Sequence, residues 1–296
     1  MKIAIAGATG NVGKVVVKEL AKTDHELVLL VKDINAAAKV LEALNTDKTI
    51  IQQTNILHTD EVVSATKDCD VLFWMVPPIV SLPSLKEVYD KVITAGTTAV
   101  AKNNINRVVI ISSLGAHRGS GLGTISYVGI MEDEFKKVSD NVMVIRPGYF
   151  MENFIIQKES ILNKGFFTFP FDDDHKIPFV SSDDIGFEAA KHLANGNWKG
   201  HLIKRVMGPE NLTCKHIENI FTETLGRPVV YKQESYDAVK KTYAQFGLNE
   251  TIQGEFYDLL KALGDKNGAY SIERAAEDST PTTLESVIKN KILMTE

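Results

Sequence analysis

Gly7-Ala8-Thr9-Gly10-Asn11-Val12-Gly13 follows an apolar run at 3–6 and opens a helical pattern through residue 22, with Val12, Val16 and Leu20 on one face. A second apolar run, 26–31, comes next. Strand, glycine turn, helix and strand in this order decide the fold, because they make the first βαβ unit of a parallel sheet. The first glycine permits a tight turn, the second lets backbone approach a bound pyrophosphate, and the third lets helix and strand pack closely. Backbone N–H groups and the positive end of the helix dipole then face the anion. Gly7, Thr9, Gly10, Asn11, Val12 and Gly13 are therefore expected to hold the diphosphate of a dinucleotide. With 20 glycines in 296 residues such a spacing arises easily by chance; its place between a strand and a helix gives it meaning.

Outward from this turn, short β-branched runs alternate with helical patterns. Strands are expected at about 2–6, 26–31, 48–53, 70–76, 106–112 and 141–146, and helices near 11–22, 34–44, 59–66, 82–102 and 126–138. This alternation predicts an α/β fold, a doubly wound parallel Rossmann sheet with both faces covered. Val108-Val109-Ile110-Ile111 is continuous rather than alternating, as a central parallel strand should be. After Arg146-Pro147-Gly148 the texture changes. Phe150, Phe154, Phe166, Phe167, Phe169, Phe171 and Phe179 cluster around the acidic run Asp172-Asp173-Asp174. The expected organisation is a dinucleotide-binding domain at 1–150, with 177–207 returning to it, and a smaller, mostly helical substrate region at 151–176 and 208–296. A strand at 177–180, an N-capped helix after Ser181-Ser182-Asp183-Asp184, a strand near 229–232 and a last helix near 282–293 complete the reading.

Composition narrows the function classes. A net charge of −5 gives no basic footprint for nucleic acid. Cys69 and Cys214 lie far apart, in neither a disulfide framework nor a metal spacing, and the seven histidines form no ligand pair, so no metal is expected. The longest apolar stretch, 71–80, is broken by Pro77 and Pro78 and is too short for a membrane span. The run before the glycine turn is too short for a secretory signal. These features imply a cytoplasmic chain.

The segments GATGNVG (7–13), VLFWMVPP (71–78), ISSLGA (111–116), RPGYFMENF (146–154) and SSDDIGFEAA (181–190) resemble, in order, those of the NmrA-like family within the atypical short-chain dehydrogenase/reductase superfamily. The resemblance covers roughly the first 210 residues. It implies a Rossmann sheet with a small C-terminal substrate region and binding of NADP or, less often, NAD. It also implies either reduction of quinones and similar electrophiles or cofactor sensing by a regulator that binds a protein partner. By the same resemblance Asn55 falls near the adenine and Val76 and Pro77 beside the cofactor's centre. Ser112 also falls at the cofactor, and Pro147, Gly148 and Tyr149 near the nicotinamide. Phe150, Asn153 and Phe154 are the expected pocket residues.

The second strand ends Val31-Lys32-Asp33, where an acid prefers a free ribose 2′-hydroxyl and a base prefers a 2′-phosphate. Both signals are present. Lys32 favours NADP without the bidentate fork of an arginine, and Asp33 keeps NAD in play.

Reductases of the wider superfamily use a serine at the end of the fifth strand and a Tyr-x-x-x-Lys pair on the next helix, the lysine lowering the tyrosine pKa. Ser112 and Ser113 lie at that strand end and Tyr127 follows, but four residues on stands Met131. The broken pair argues against a nucleotide-sugar epimerase. It leaves hydride donation to an already electrophilic acceptor, where the cofactor carries the chemistry. Tyr127, Tyr149, His117 and solvent are the candidate proton sources, and His117 sits in a glycine-rich loop, 115–123, of lid-like composition. Two literal Tyr/Lys spacings, Tyr236 with Lys240 and Tyr257 with Lys261, read as surface helix residues. The reading is an NAD(P)H-dependent reductase of a small electrophile; the alternative is a non-catalytic redox sensor.

Overall fold

The structure is a computed structural model that describes residues 1–41 and 48–294. Strands β1 (Lys2–Ala6), β2 (Glu26–Val31), β3 (Thr49–Gln53), β4 (Val71–Trp74), β5 (Arg107–Ile111) and β6 (Val142–Pro147) form where the apolar runs lie. They are followed by β7 (Tyr149–Phe150), β8 (Phe166–Phe169), β9 (Ile177–Val180), β10 (His201–Val206), β11 (Asn211–Leu212) and β12 (Val230–Gln233). The first six strands and β10 make one sheet in the order β10-β6-β5-β4-β1-β2-β3. β1 pairs in parallel with both β2 and β4, Ile3 standing opposite Leu27 and Val71. β4 pairs in parallel with β5, and β5 with β6. The Val142 N–H donates to the Gly200 carbonyl and the Gly148 N–H to that of Val206, so β10 also runs parallel to β6. The strand order reverses beside β1, and in such sheets ligands bind in the crevice at the carboxyl end of that point.

The crossovers carry α1 (Asn11–Leu20), α2 (Ile34–Leu41), α3 (Thr59–Ala65), α4 (Leu85–Asn103) and α5 (Thr124–Val138). Residues 42–44, expected to continue α2, lie outside the described residues. α4 starts where the Ser84 hydroxyl accepts the Glu87 N–H at 3.0 Å and stops where Asn104 turns left-handed, at φ 53°.

Three departures from expectation have physical causes. β4 ends at Trp74 rather than 76, because Pro77 and Pro78 remove two donors and restrict the residues before them. β3 is not fully buried: it is the edge strand and exposes Ile50, Gln52 and Gln53. β10 was not expected at all. It forms the opposite edge, and its first three residues, His201, Leu202 and Ile203, are exposed, so it lacks the continuous apolar run of an inner strand.

The chain divides into two compact units. The first comprises Met1–Ser113, Tyr127–Arg146 and Ile185–Lys204; the second comprises Leu114–Ser126, Pro147–Asp184 and Arg205–Glu296. Into the second fall α7 (Cys214–Leu225), α8 (Tyr236–Gln245), α9 (Glu250–Gly264) and α10 (Leu284–Val287), with most of the phenylalanine cluster; α6 (Ser182–Ala194) begins there and passes into the first. β7, β9 and β11 form a three-stranded sheet, and β8 pairs in parallel with β12. The aromatic segment is core. Phe154 meets Phe167, Phe169 and Phe221 edge-on and stacks on Phe179, with centroids 5.1–5.7 Å apart. Each such pair adds about 0.5–1.5 kcal/mol beyond area burial. Among the described residues no helix is long and apolar enough to cross a membrane, and no group of three or more His, Cys, Asp or Glu could hold a metal.

Candidate functional site

The glycine turn leaves the carboxyl end of β1. Gly7 has φ +68°, a conformation other residues rarely adopt. Its carbonyl accepts the Gly10 N–H at 2.9 Å. Gly10 is the N-cap of α1 and supplies no side-chain cap, so the first N–H groups of the helix have no local acceptor. A Cβ on Gly13 would fall 2.0 Å from the Gly7 carbonyl oxygen, whereas one on Gly10 would meet only that oxygen, at 3.3 Å. Helix and turn are thus in direct backbone contact at Gly13, while the space over Gly10 is open. Thr9, Gly10 and Asn11 are exposed and the Val12 side chain is buried, leaving only its backbone to a ligand. Open backbone and unpaired donors at a helix start fit a diphosphate.

At the end of β2, Asp33 is committed to α2. One carboxylate oxygen accepts the N–H of Asn35 at 2.8 Å, and the Asp33 carbonyl accepts that of Ala37. Lys32 is exposed, and no hydrogen bond of its ammonium appears among the described residues. The Gln53 side-chain amide donates to the Lys32 carbonyl. Asn55 follows β3, its N–H donating to Glu61 at 2.7 Å and its side-chain oxygen accepting the Leu57 N–H. The Asn55 N–H and the His58 ring hold the Glu61 carboxyl below its ordinary range. Val76 and Pro77 are half-buried in the loop after β4.

Ser112 follows β5, buried at 7% exposure. Its hydroxyl donates to Glu132 on α5 at 2.5 Å. Arg146, on β6, grips the same carboxylate with two N–H groups, at 2.9 and 2.6 Å. Tyr127, also on α5, is half-buried and tilts against Tyr89 with centroids 5.4 Å apart. Met131 is wholly buried, so the position where a lysine would complete the tyrosine pair faces the core.

The remaining candidates lie in the second unit. Gly148 is dictated by close approach, since a Cβ there would fall 1.9 Å from the Pro178 carbonyl oxygen. Pro147 is buried and Phe150 half-buried. Tyr149 stands opposite Phe179 in the β7–β9 pair and meets Phe169 and Phe179 edge-on. Burial pushes its phenol well above the ordinary value, with Tyr243 adding to the effect and a hydrogen bond with Asn153 opposing it. Asn153 is exposed, whereas Phe154 is at 0%. His117 is exposed in a short 3-10 turn. Its loop is tethered, because Arg118 donates to the carbonyls of Asn267 (2.9 Å) and Ser271 (2.6 Å). Of the two literal Tyr/Lys spacings, the tyrosines are half-buried and face each other, Tyr236 against Tyr257 at 5.9 Å.

Sequence reasoning missed the buried carboxylates. Glu152, inside RPGYFMENF, accepts from the Ser182 N–H (3.0 Å), the Ser182 hydroxyl (2.6 Å) and the Lys291 ammonium (2.7 Å). Lys291 also reaches Asp183 at 2.7 Å. Burial alone would raise the Glu152 carboxyl, but Lys291 and Ser182 together hold it below its ordinary value of 4.5. Both cysteines are buried, which pushes each thiol up to about 11.

The seven-stranded order and the uncapped glycine turn define a doubly wound α/β protein of Rossmann type. The chain belongs to the NmrA-like family, whose sequence profile matches residues 1–287. It is 24% identical over 257 residues to an NAD(P)H azoreductase of Xenophilus azovorans, covering 87% of this chain and 85% of that protein. Its fold matches an NADPH-dependent quinone oxidoreductase of Escherichia coli, complexed with NADPH, at a TM-score of 0.78 and 20% identity, over 97% of this chain and 98% of that one. It also matches NmrA, a negative transcriptional regulator in complex with NADP, at a TM-score of 0.73 and 14% identity, over 99% and 95% of the two chains.

Proposed function

We propose that this chain is an NADPH-dependent reductase of a small electrophilic acceptor of quinone or azo type. The observation that carries the reading is the open backbone over Gly10 at a helix start with no side-chain cap. Relatives named as an azoreductase and a quinone oxidoreductase support the acceptor class. In this reading Gly7, Thr9, Gly10, Asn11, Val12 and Gly13 hold the diphosphate, and Asn55, Val76, Pro77 and Ser112 line the rest of the cofactor in the first unit. The bound cofactor supplies the hydride. In the second unit Tyr149, a phenol whose pKa burial raises, is the candidate hydrogen-bond donor, with Phe150 and Asn153 the candidate pocket residues of that unit. A buried Met131 in place of a lysine leaves no built-in means of lowering a tyrosine pKa at Tyr127, which fits acceptors that are electrophilic without acid assistance.

The test is steady oxidation of NADPH by the purified protein with a panel of quinones and azo compounds. Acceleration by at least one acceptor supports the reading, and the absence of any acceleration sinks it. The likeness to NmrA and the broken Tyr/Lys pair favour a second reading, a redox sensor. It predicts no turnover but clearly different affinities for NADP and NADPH.

The engagement of Asp33 with α2 supports NADP over NAD, because a carboxylate already accepting helix N–H groups is a poorer partner for a ribose diol. Lys32→Ala is expected to weaken NADPH binding by about 1.5–3 kcal/mol, the range for hydrogen bonds to charged groups, and NADH binding far less. Isothermal titration with both cofactors checks it, and equal losses would remove Lys32 from the phosphate.

A further inference from the structure

The Ser112–Glu132–Arg146 cluster fixes more than packing. Glu132 is 2% exposed and both of its oxygens already accept from Arg146, a side chain with no acceptor of its own. The Ser112 hydroxyl is a third donor on that carboxylate, at 2.5 Å. A serine has one proton to give and two lone pairs to offer. Once that proton is directed at Glu132, the oxygen presents only lone pairs on its other side. Ser112 follows β5 on the edge of the sheet from which the glycine turn leaves β1, the edge where ligands of such sheets lie.

We propose that Glu132 is a positioning residue that makes Ser112 a hydrogen-bond acceptor only, so that the serine reads a donor on the bound cofactor, a carboxamide N–H or a ribose hydroxyl, and does not donate to the acceptor's oxygen. The inference rests on the dinucleotide reading above. It reverses the role expected for a serine at this strand end, where the hydroxyl would polarise a substrate carbonyl. Arg146 has its part in this arrangement: with two of its N–H groups it orients the carboxylate, and its fork cannot be copied by a lysine. The chemistry also sets a sign for Glu132→Gln. A glutamine carboxamide has one acceptor oxygen where Arg146 now uses two, so one Arg146 N–H loses its acceptor in either orientation; with the NH2 in the place of the oxygen that Ser112 reaches, the amide faces the serine with a donor. The serine then accepts from the glutamine and points its proton outward, toward the ligand's donor.

NADPH binding to the full chain, followed by cofactor fluorescence without any acceptor, tests this. Ser112→Ala should raise the Kd for NADPH about threefold to tenfold, the size of one neutral hydrogen bond, and Ser112→Thr should restore most of it. Glu132→Gln should raise the Kd at least as much in the Ser112 background and much less in the Ser112→Ala background, a non-additivity that a purely structural carboxylate would not give. Thermal unfolding recorded for every variant reports whether it has simply lost its fold. An unchanged Kd in Ser112→Ala, or additive effects of the two substitutions, overturns the inference while leaving the cofactor site intact. If the unaltered protein binds neither NADPH nor NADH, the functional reading itself falls, and this inference falls with it.

Discussion

Gly10→Val keeps the fold and loses the dinucleotide, whereas Gly13→Ala damages both. The two glycines are three residues apart and face opposite constraints. At Gly10 a Cβ meets only one carbonyl oxygen, at 3.3 Å, so the fold accommodates a side chain that then occupies the space over the helix start. At Gly13 the added carbon would lie 2.0 Å from the Gly7 oxygen and 2.7 Å from the Gly7 carbonyl carbon. These are backbone atoms, held by the left-handed turn at Gly7 and by β1, which is buried from Ile3 onward. Helix α1 must then move off the turn, a change expected to cost about 3 kcal/mol or more, the upper range for overpacking. Thermal unfolding by circular dichroism and titration with NADPH separate the two effects. Tight NADPH binding by a well-folded Gly10→Val protein would remove the diphosphate from this turn.

Lys291→Met is the second substitution with a large expected effect. Glu152 keeps only 4% of its side-chain surface exposed and Lys291 23%. Removing the ammonium leaves a buried carboxylate with serine and backbone donors but no cation. Breaking one side of a buried pair costs about 3–5 kcal/mol, and the partial exposure of Lys291 points to the lower end. Urea unfolding at neutral pH gives the number. A loss below about 0.5 kcal/mol would put the pair in the class of surface ion pairs.

The same pair sets a pH window. Glu152 titrates below its ordinary 4.5, so its contribution is complete above that pH and is lost as the pH falls through the lower folded value. For Lys291, burial opposes the charge, but hydrogen bonds with Asp183 and Glu152 raise its pKa above the ordinary 10.5. Its contribution is complete below 10.5 and is lost as the pH rises through the folded value. The difference in stability between the unaltered chain and Lys291→Met should therefore be flat near neutrality and shrink at both extremes.

Local signals in the sequence were the ones that could be read. The inner strands β1, β2, β4, β5 and β6 were legible because a parallel strand covered on both faces needs an apolar run, and the glycine turn was legible because seven consecutive residues contain it. β10 was opaque because an edge strand need be apolar on neither side, and HLIKRV carries no period. The phenylalanine cluster was visible as composition, but whether Phe154 lined a pocket or filled a core depended on Phe221, far along the chain on α7. The carboxylates were hidden for the same reason. Glu132 meets Arg146 across a helix and a strand, and nothing in RPGYFMENF announces that Glu152 needs a cation from residue 291.

That last contact has a consequence for biosynthesis. Lys291 is 139 residues beyond Glu152 in the chain, and Thr282, which donates to Asp184, is 98 residues beyond it. Arg205 likewise waits for Asp278. A ribosome adds residues at about 5–20 per second, so the nascent RPGYFMENF segment remains without its counter-charge for on the order of ten seconds. Val287, Ile288 and Ile292, which complete the aromatic core, emerge in the same late interval. The second unit therefore closes only after residue 292 has been made, and until then it presents phenylalanine surface of the kind that chaperones shield.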